Sequence, residues 1–395
     1  MLVIACPGQG SQTPGFLAPW LEVPGFADRL HWLSAVSGLD LETHGTTSDA
    51  ETIRDTAVAQ PLLVASGLLS LLSLFPQPAD AFSVVGLGAG HSVGEITAAA
   101  AAGVVSAEQA MVLVRERGRG MAAASAAAPT GMSAVVGGDA DEVAATLGRH
   151  GLVAANANGA VQVVAAGTLE QLAALREDAP ARARVIPLQV AGAFHTEHMA
   201  PAVPELERLA RAVTTHDARV LLASNADGTV LHDGQEVLSR IVAQVARPVR
   251  WDLCQQTFAD RGVTGLLEVP PAGTLANLAR RSLPGVETFA LKTPDQLDDA
   301  RAFVARHGER STVTTSPTWR LVVAPAKGVV RVQGPREEGA RVDAGAVVAR
   351  VEGLRDGHDA SAPHGGTVVE WLVEDGDPVA PGQPLVRLHP AGGAA

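Results

Sequence analysis

The stretch FSVVGLGAGHSVGEITAAAAA, residues 82–102, contains the pattern that decides the fold. Its first residues, Phe82 to Leu87, are mostly apolar and predict a short buried strand that stops at Gly88-Ala89-Gly90. After the glycines, Val93 to Ala102 is rich in alanine, which favours a buried helix. A strand, a tight glycine turn and a helix in succession form the βα unit of an open parallel sheet. The sequence therefore predicts an α/β fold.

The flanking segments extend this prediction in both directions. Leu2 to Ala5 reads as another short buried strand, and Pro61 to Leu74 is an apolar stretch of helical length. Between residues 131 and 190 the predicted order becomes β-α-β-β-α-β, which is the order of a split βαβ, ferredoxin-like unit. We therefore expect a parallel-sheet core from residues 1–130 and 191–293, with residues 131–190 inserted as a separate lobe.

The C-terminal quarter of the chain differs in composition. Residues 294–318 are polar, with charged helical content and then Ser/Thr-rich sequence, which predicts a linker. Beyond it the sequence repeats itself, because Pro325, Gly328, Val330, Gly339, Val342, Gly345 and Val348 recur as Pro363, Gly366, Val368, Gly376, Val379, Gly382 and Leu385. Two β half-units of this kind predict a small all-β sandwich with pseudo-twofold symmetry over residues 319–390.

Composition restricts the class of function. The chain has 395 residues, a net charge of −12 and two lysines among 30 basic residues, so no polybasic stretch can neutralise phosphates. We expect neither a nucleic acid nor a membrane partner, since no run approaches the ~18 apolar residues of a membrane span. Cys6 and Cys254 lie far apart without metal-ligand spacing. We therefore predict no disulfide framework, no metal site and a cytoplasmic location.

A candidate nucleophile lies at the predicted strand-to-helix turn. Gly90-His91-Ser92-Val93-Gly94 is a G-x-S-x-G motif, whose glycines let the backbone turn sharply and expose the serine hydroxyl. The alternative is that Gly86, Gly88 and Gly90 belong to a dinucleotide-binding loop, although no G-x-G-x-x-G register is completed. The strand-turn-helix context favours Ser92 as a nucleophile.

A serine nucleophile requires a base, and the chain offers 12 histidines. His195 is distinguished by its context, Gly192-Ala193-Phe194-His195, although a structural role is the more common one for any single histidine. The spacing of His195 and His198 would also suit two metal ligands on one helical turn, but no third ligand cluster accompanies them. His195 is therefore one candidate base beside these alternatives, and since a base must be neutral to act, its activity would fall below its ordinary pKa of about 6.5.

Arg117 is a candidate anion-binding residue. In the helix predicted from Ala107 to Met121, Arg117 lies four residues after Leu113 and four before Met121, on the apolar stripe. An unpaired buried guanidinium costs several kcal/mol and cannot lose its proton, so it must meet an anion. That anion is either an internal Asp or Glu, or the carboxylate of a substrate.

Together these motifs resemble those of the malonyl-CoA:acyl-carrier-protein transacylases, over about residues 1–292. The resemblance is specific because the motifs occur in order: Pro7-Gly8-Gln9-Gly10-Ser11-Gln12, Gly90 to Glu95, Arg117-Gly118 with Met121, Asn156-x-Asn158 with Gln162 and Gly167, Gly192 to His195, Asn225, and Pro248-Val249-Arg250-Trp251. It implies an α/β-hydrolase-like core with a ferredoxin-like lobe, in agreement with the segmentation above.

The resemblance also implies a mechanism. Ser92 would attack malonyl-CoA with His195 as its base, and the malonyl group would pass to the phosphopantetheine thiol of an acyl carrier protein for fatty-acid or polyketide synthesis. The backbone amides of Gln9 and Val93 would form the oxyanion hole. The remaining roles implied are substrate binding by Arg117, His91 and Phe194, with Arg117 on the malonyl carboxylate, and orientation of His195 by the main-chain carbonyl of Arg250.

The tail resembles a different family. Residues 319–390 are similar to biotinyl or lipoyl carrier domains, in which a hairpin carries the modified lysine. Leu354-Arg355-Asp356 stands at that hairpin, and Lys327 lies near the first strand instead. We therefore expect no bound cofactor, neither biotin nor lipoate, and a docking or packing module.

Three alternative functions use the same residues differently. A serine esterase or thioesterase would pass the acyl group to water, and the transacylase subunit of a malonate decarboxylase would load a different carrier. A non-enzymatic scaffold would leave Ser92 and His195 idle. Arg117 favours transfer of a dicarboxylic acyl group.

Overall fold

The fold is described here from a computed structural model, which describes residues 1–159, 162–308, 320–353, 356–363 and 365–390. The chain divides into two compact units, Met1–Thr312 and Val313–Ala395. The α-helices described in the first unit are α1 Phe26–Ser37, α2 Leu41–Thr46, α3 Thr56–Leu74, α4 Pro78–Val84, α5 Gly94–Ala101, α6 Ala107–Ala126, α7 Ala140–Arg149, α8 Leu169–Glu177, α9 Val203–Ala210, α10 Gly234–Ala243, α11 Trp251–Asp260, α12 Thr274–Ser282 and α13 Leu297–His307.

The strands of the first unit form two sheets. They are β1 Leu2–Cys6, β2 Val85–Gly90, β3 Thr130–Gly137, β4 Val153–Ala157, β5 Gln162–Thr168, β6 Ala183–Pro187, β7 Leu222–Ala223, β8 Val230–Leu231, β9 Val249–Arg250, β10 Gly265–Glu268 and β11 Glu287–Ala290. Short 3-10 helices lie at Ala18–Glu22, Thr52–Arg54, Glu197–Ala202, Gln244–Ala246 and Pro294–Gln296. The mixed α/β class predicted from the sequence is confirmed.

The main sheet has the strand order β11-β10-β1-β2-β7-β8, parallel except for the pair β7 and β8. Its central strand β1 is buried along its whole length, as a near-continuous apolar run predicts for a strand covered on both faces. Leu2 and Ile4 belong to the apolar cluster on one face, while Val3 and Ala5 belong to the cluster on the other. This arrangement brings the end of β1 beside the end of β2, where Ser92 lies.

The glycines before Ser92 lie inside a strand rather than in the turn. We expected the strand to stop at Gly88, but β2 runs to Gly90 and α4 covers Phe82 to Val84. The reason is crowding, because a Cβ on Gly88 would fall 2.9 Å from the Leu222 side chain of β7. A buried central strand can use glycine where a neighbouring strand approaches closely.

The inserted segment forms the second sheet, in the order β6-β3-β5-β4-β9. Pairs among β3, β4, β5 and β6 are antiparallel, whereas β9 of the core joins β4 in parallel through Asn156 and Val249. Helices α7 and α8 cover one face over a separate apolar cluster that includes Val143 and Leu172. The junction of β4 with β9 fixes the start of α11 against the lobe.

Helix α3 is the longest apolar segment of the first unit. Contrary to our expectation from the sequence, this helix, Thr56–Leu74, is long and apolar enough to cross a membrane by length and composition. In the fold, 72% of its apolar window is buried inside the protein. The helix is therefore accounted for as a core element that packs against α5 and α6.

Part of the predicted linker is folded. Helix α13 occupies Leu297–His307 and packs its apolar side, including Ala300 and Phe303, into the main core. Residues 309–318 of the predicted linker lie outside the described residues. The linker prediction was therefore wrong for α13.

The second unit contains two four-stranded antiparallel sheets around one apolar core. Its strands are β12 Arg320–Val323, β13 Gly328–Val332, β14 Arg341–Val342, β15 Val347–Glu352, β16 Gly357–Ser361, β17 Gly366–Trp371, β18 Pro378–Val379 and β19 Pro384–Pro390. The repeated turn glycines Gly339, Gly345, Gly376 and Gly382 all have positive φ, between 80° and 97°. The sequence repeat therefore corresponds to repeated turns that need glycine.

Candidate active site

Ser92 lies at a sharp turn between β2 and α5. Its φ of 55° is in the left-handed region, which a serine occupies only when the surroundings enforce it. The flanking glycines make the turn possible, because a Cβ on Gly90 would fall 1.9 Å from the backbone of Gly94, and one on Gly94 would fall 2.1 Å from the Cys6 carbonyl. The predicted strand-turn-helix context of the G-x-S-x-G motif is therefore present.

His195 lies beside this serine. Ser92 Oγ and His195 Nε2 are 2.7 Å apart, and the imidazole is only 3% exposed. On the other side of the ring, Nδ1 lies 2.9 Å from the main-chain oxygen of Gln244. A carbonyl can only accept, so Nδ1 carries the proton and Nε2 is left to accept the hydroxyl proton of Ser92.

The carbonyl that orients His195 corrects our prediction of Arg250. Gln244 follows the last residue of α10 and begins the 3-10 helix Gln244–Ala246, and its carbonyl accepts both from the Arg247 amide at 3.1 Å and from the imidazole. A carbonyl oxygen has two lone pairs, so it can accept both hydrogen bonds. Arg250 instead belongs to β9, donates its amide to the Asn225 carbonyl at 2.7 Å, and forms an ion pair with Asp252 at 2.8 Å. The acceptor for His195 Nδ1 is therefore the carbonyl of Gln244 at the end of α10, and not the carbonyl of Arg250 in β9.

Burial and charge keep His195 neutral. Desolvation lowers the pKa of the imidazole to about 3, and the nearby Arg117 guanidinium adds to this effect. The folded protein therefore holds His195 in the form that can accept a proton, far below the ordinary pKa that we assumed from the sequence.

Arg117 reaches the same serine from α6. Its side chain is 2% exposed, and its guanidinium donates to Gln60 Oε1 at 2.7 Å, to Gln244 Oε1 at 3.2 Å and to Ser92 Oγ at 3.3 Å. Within the described part of the chain, no ion pair to a carboxylate within 4.0 Å is formed by this arginine. Burial lowers the pKa of Arg117 to about 10, so it stays charged at neutral pH. Among the described residues, no internal Asp or Glu therefore contacts Arg117, although the charge of the nearby Glu95 acts to raise the pKa of the arginine.

A buried hydrogen-bond network supports these groups. Asn225 Oδ1 accepts from the Ser92 amide at 2.8 Å, and Asn225 Nδ2 donates to the Gly90 carbonyl at 2.7 Å. The Glu95 side chain accepts from the backbone amide of Asn225 at 2.7 Å and from the side-chain amide of Gln244. Burial raises the pKa of the Glu95 carboxyl to about 8. Asn225 therefore holds both ends of the turn that carries Ser92.

The predicted oxyanion donors lie on two loops that touch. The two loops are in close contact, because a Cβ on Gly8 would fall 2.8 Å from the His91 carbonyl. The backbone amide of His91 also donates to the Cys6 carbonyl at 2.9 Å. The side chain of Gln9 is fixed by donation to the Arg54 carbonyl at 3.1 Å. Among the described residues, the backbone amides of Gln9 and Val93 have no hydrogen-bond acceptor. Neither N–H group is therefore committed to an acceptor in the described part of the protein.

The two remaining predicted substrate-binding residues sit at the edge of this site. His91 Nε2 is 2.8 Å from Asn158 Oδ1, and its ring meets Trp251 edge-on at 5.7 Å. Phe194 is 6% exposed and packs into the main apolar core next to His195. His91 is thus held between the lobe and α11, while Phe194 lines the core beside the base.

A cleft of about 570 Å³ lies close to the loop that carries Gln9. Thr56 lines this cleft and also accepts from Gln9 Nε2 at 3.2 Å. Ser125 lines it as well. Gly192 packs so closely against Ser125 that a Cβ on Gly192 would fall 2.2 Å from Ser125 Oγ. The segments that carry Gln9 and His195 therefore both reach the walls of this cleft.

Two alternative sites were considered from the sequence, a metal site and a dinucleotide-binding loop. Within the described ranges no group of three His, Cys, Asp or Glu side chains is arranged to hold a metal ion. Gly86 lies in β2, where its Cβ position is 2.3 Å from the Met1 side chain, so its role is sheet packing. Gln60, Glu95 and Gln244 were not identified from the sequence. The feature that could have identified them is a polar side chain at a helix position that is otherwise expected to be buried and apolar.

Comparison with known proteins gives the family. Residues 3–313 match the family model described as acyl transferase domain. The malonyl CoA-acyl carrier protein transacylase of Mycobacterium tuberculosis H37Rv is 49% identical over 299 residues, which are 76% of this chain and 99% of that protein. The chain belongs to the malonyl-CoA:acyl-carrier-protein transacylase family.

Other transacylases agree with this assignment. The transacylase of Mycolicibacterium smegmatis is 50% identical over 71% of this chain and 98% of its own. A crystal structure of the Mycobacterium tuberculosis transacylase superposes with a TM-score of 0.74 and 49% identity, and covers 76% of this chain and 99% of that one. The Synechocystis transacylase structure gives a TM-score of 0.69 at 28% identity, with 75% of this chain and 99% of that one covered. The chain is therefore an acyltransferase, and the family match ends at residue 313, where the second unit begins.

Proposed function

We propose that this protein transfers the malonyl group from malonyl-CoA, through an ester of Ser92, to the phosphopantetheine thiol of an acyl carrier protein for fatty-acid synthesis. The observation that carries the proposal is that His195 and Arg117 both contact the hydroxyl oxygen of Ser92. Ser92 Oγ lies 2.7 Å from His195 Nε2 and 3.3 Å from the Arg117 guanidinium. A base and a fixed cation at the same hydroxyl suit an acyl group that ends in a carboxylate.

In the first half-reaction, Ser92 Oγ attacks the thioester carbonyl while His195 Nε2 takes the hydroxyl proton. The negative charge on the carbonyl oxygen is met by the amides of Gln9 and Val93. The carbon–sulfur bond then breaks, and His195 returns its proton to the departing thiolate of coenzyme A. The products are a malonyl ester of Ser92 and free coenzyme A.

In the second half-reaction, the carrier thiol gives its proton to His195, and its sulfur attacks the ester carbonyl. The bond from the carbonyl carbon to Ser92 Oγ breaks, and His195 protonates the serine. The enzyme is restored and the carrier holds a malonyl thioester. We assign the cleft beside Gln9 to the pantetheine arm common to donor and acceptor, because its walls adjoin both reacting loops.

Arg117 accounts for the choice of acyl group. Its guanidinium is held by the neutral amide oxygens of Gln60 and Gln244, so its charge is left for the free carboxylate of malonate. An acetyl group would leave this buried cation unpaired, and a site built around a polar partner discriminates strongly against its absence. Phe194 and His91 would complete the acyl pocket.

The mass of the intact protein tests the proposal. After incubation with malonyl-CoA, we expect the wild type to gain one malonyl group and the Ser92→Ala variant to gain none. Addition of an acyl carrier protein should remove the adduct and load the carrier, whereas a thioesterase would lose the adduct to water without a carrier. A wild-type mass that is unchanged by malonyl-CoA contradicts the mechanism.

We also infer the finer architecture. The parallel strands and the serine turn after β2 support an α/β-hydrolase-like core, and the order β6-β3-β5-β4 supports a ferredoxin-like lobe. For the tail we infer a biotinyl- or lipoyl-like domain without cofactor, since its sheets carry the internal repeat. The expected lysine site, Leu354-Arg355, lies outside the described residues. A cytoplasmic location fits a substrate of this kind.

A further inference from the structure

Gln244 connects the three functional groups of the site with its backbone and side chain. Its carbonyl orients His195, and its side-chain oxygen accepts from Arg117 at 3.2 Å. Its side-chain nitrogen donates to Glu95 and, at 3.0 Å, to Asn225 Oδ1. Gln244 is 4% exposed and Glu95 8%, so both side chains lie away from bulk solvent. Each polar atom of the Gln244 side chain therefore has a protein partner.

The direction of the Gln244 amide is fixed by Glu95. An ionised carboxylate has two acceptor oxygens, and in that form Glu95 uses one for the Asn225 backbone amide and the other for Gln244 Nε2. With Nε2 held there, the amide oxygen must point to the other side, toward Arg117. A flipped amide would present N–H groups to the guanidinium, which has no acceptor.

We propose that Glu95 positions Arg117 through the side chain of Gln244, so that the guanidinium is held in place for the substrate carboxylate without being neutralised. A carboxylate directly on Arg117 would take up the charge that the substrate needs, whereas an amide oxygen leaves it available. Glu95 and Gln244 are thus positioning residues for acyl selectivity. The inference rests on the proposed function of Arg117.

The test compares malonyl-CoA with acetyl-CoA in Glu95→Gln at a pH above the Glu95 pKa of about 8, where the wild-type side chain is ionised. The new carboxamide has one acceptor where the carboxylate had two, so it places an N–H group opposite the Gln244 N–H group and favours the flipped amide. We expect KM for malonyl-CoA to rise and the malonyl-to-acetyl ratio of kcat/KM to fall on the order of tenfold to a hundredfold, as a small misplacement of a positioning group does. Because this ratio does not depend on the amount of active enzyme, partial unfolding cannot imitate the result.

A matched control is available at Glu268, another buried carboxyl, which accepts from the backbone amides of Gly273, Leu275 and Ala276 and not from Gln244. Glu268→Gln should lower the melting temperature without a change in the malonyl-to-acetyl ratio. An equal ratio change in both variants would assign the effect to general loss of a buried carboxyl and overturn the inference.

A double-mutant cycle tests whether Glu95 acts through Gln244. Gln244→Met removes the side-chain amide and keeps the carbonyl that orients His195. If the relay exists, Glu95→Gln has no further effect on the ratio in the Gln244→Met background. Additive losses would overturn the relay, as would a wild-type ratio in Glu95→Gln. Failure of the wild type to load malonate would instead overturn the proposed function.

Discussion

Replacement of Arg117 by alanine removes a buried cation that contacts Ser92 Oγ. The substitution takes away the group expected to pair with the malonyl carboxylate, and truncation of one partner of a buried, hydrogen-bonded charge pair costs about 2–5 kcal/mol. At about 1.4 kcal/mol for each factor of ten, kcat/KM for malonyl-CoA should fall by about 30- to 4000-fold. Acetyl-CoA has no carboxylate to lose, so its kcat/KM should fall far less.

The effect on stability is expected to be small because two contributions oppose each other. The variant leaves Gln60 Oε1 and Gln244 Oε1 without their donor, and unsatisfied buried acceptors are costly. It also removes a buried charge that forms no ion pair with a carboxylate within 4.0 Å among the described residues. A loss of malonyl transfer should therefore appear without a comparable loss of folded protein.

The assay is transfer from malonyl-CoA and from acetyl-CoA, with circular dichroism as the check on folding. Arg119→Ala is the matched control, since Arg119 lies on the same helix with its side chain 55% exposed and paired with Glu116. We expect the control to keep the malonyl preference of the wild type. If Arg117→Ala also keeps it, the guanidinium does not bind the substrate carboxylate and the reasoning is refuted.

Four further predictions concern pH, the turn, a buried cap and the tail. Because burial lowers the pKa of His195 to about 3, malonyl transfer should stay level as the pH falls through 6.5, and an acid limb near 6.5 in the pH profile would contradict this. Below pH 6.5 His195 binds a proton in the unfolded chain but stays neutral in the folded protein. This residue therefore lowers the free energy of unfolding as the pH drops below 6.5, which denaturant titration measures. Gly90→Ala, whose Cβ would fall 1.9 Å from the Gly94 backbone, should lower the melting temperature sharply and remove the malonyl adduct; a normal adduct would mean that the turn tolerates a side chain. Glu268→Ala leaves three backbone amides, two of them buried, without their acceptor and should cost about 3 kcal/mol or more in urea unfolding, with a change below about 1 kcal/mol as the contrary result. Deletion of residues 313–395 should leave the first unit folded and active on malonyl-CoA, and loss of the adduct would assign the tail a part in the reaction.

Much of the site could be predicted from local patterns. The G-x-S-x-G motif requires a particular turn, so its glycines and its position between a strand and a helix indicate Ser92 directly. Arg117 could be assigned to a buried helix face because a helix repeats its faces every three to four residues. The pairing of Ser92 with His195 came from family resemblance, since residues 103 positions apart meet only through tertiary structure.

The predicted linker shows where composition misleads. Residues 294–308 contain many charged side chains, and that average content suggested a solvated segment. The apolar residues Leu297, Ala300, Phe303 and Val304 nevertheless recur at helical spacing, and all four are buried in the fold. Periodicity rather than polarity carries the information about a surface helix, because only one of its faces has to be apolar.

The carbonyl that orients His195 could not be found from residue types at all. Every residue carries a main-chain oxygen, so the identity of residue 244 or 250 does not signal that role. What distinguishes Gln244 is its place directly after α10, where its carbonyl accepts from His195 Nδ1 as well as from the Arg247 amide. The Gln244 side chain has a separate task, since it contacts Arg117 and Glu95. A substitution there that preserves the backbone should therefore separate the base from the selectivity of the site, which no single substitution at Ser92 or His195 can do.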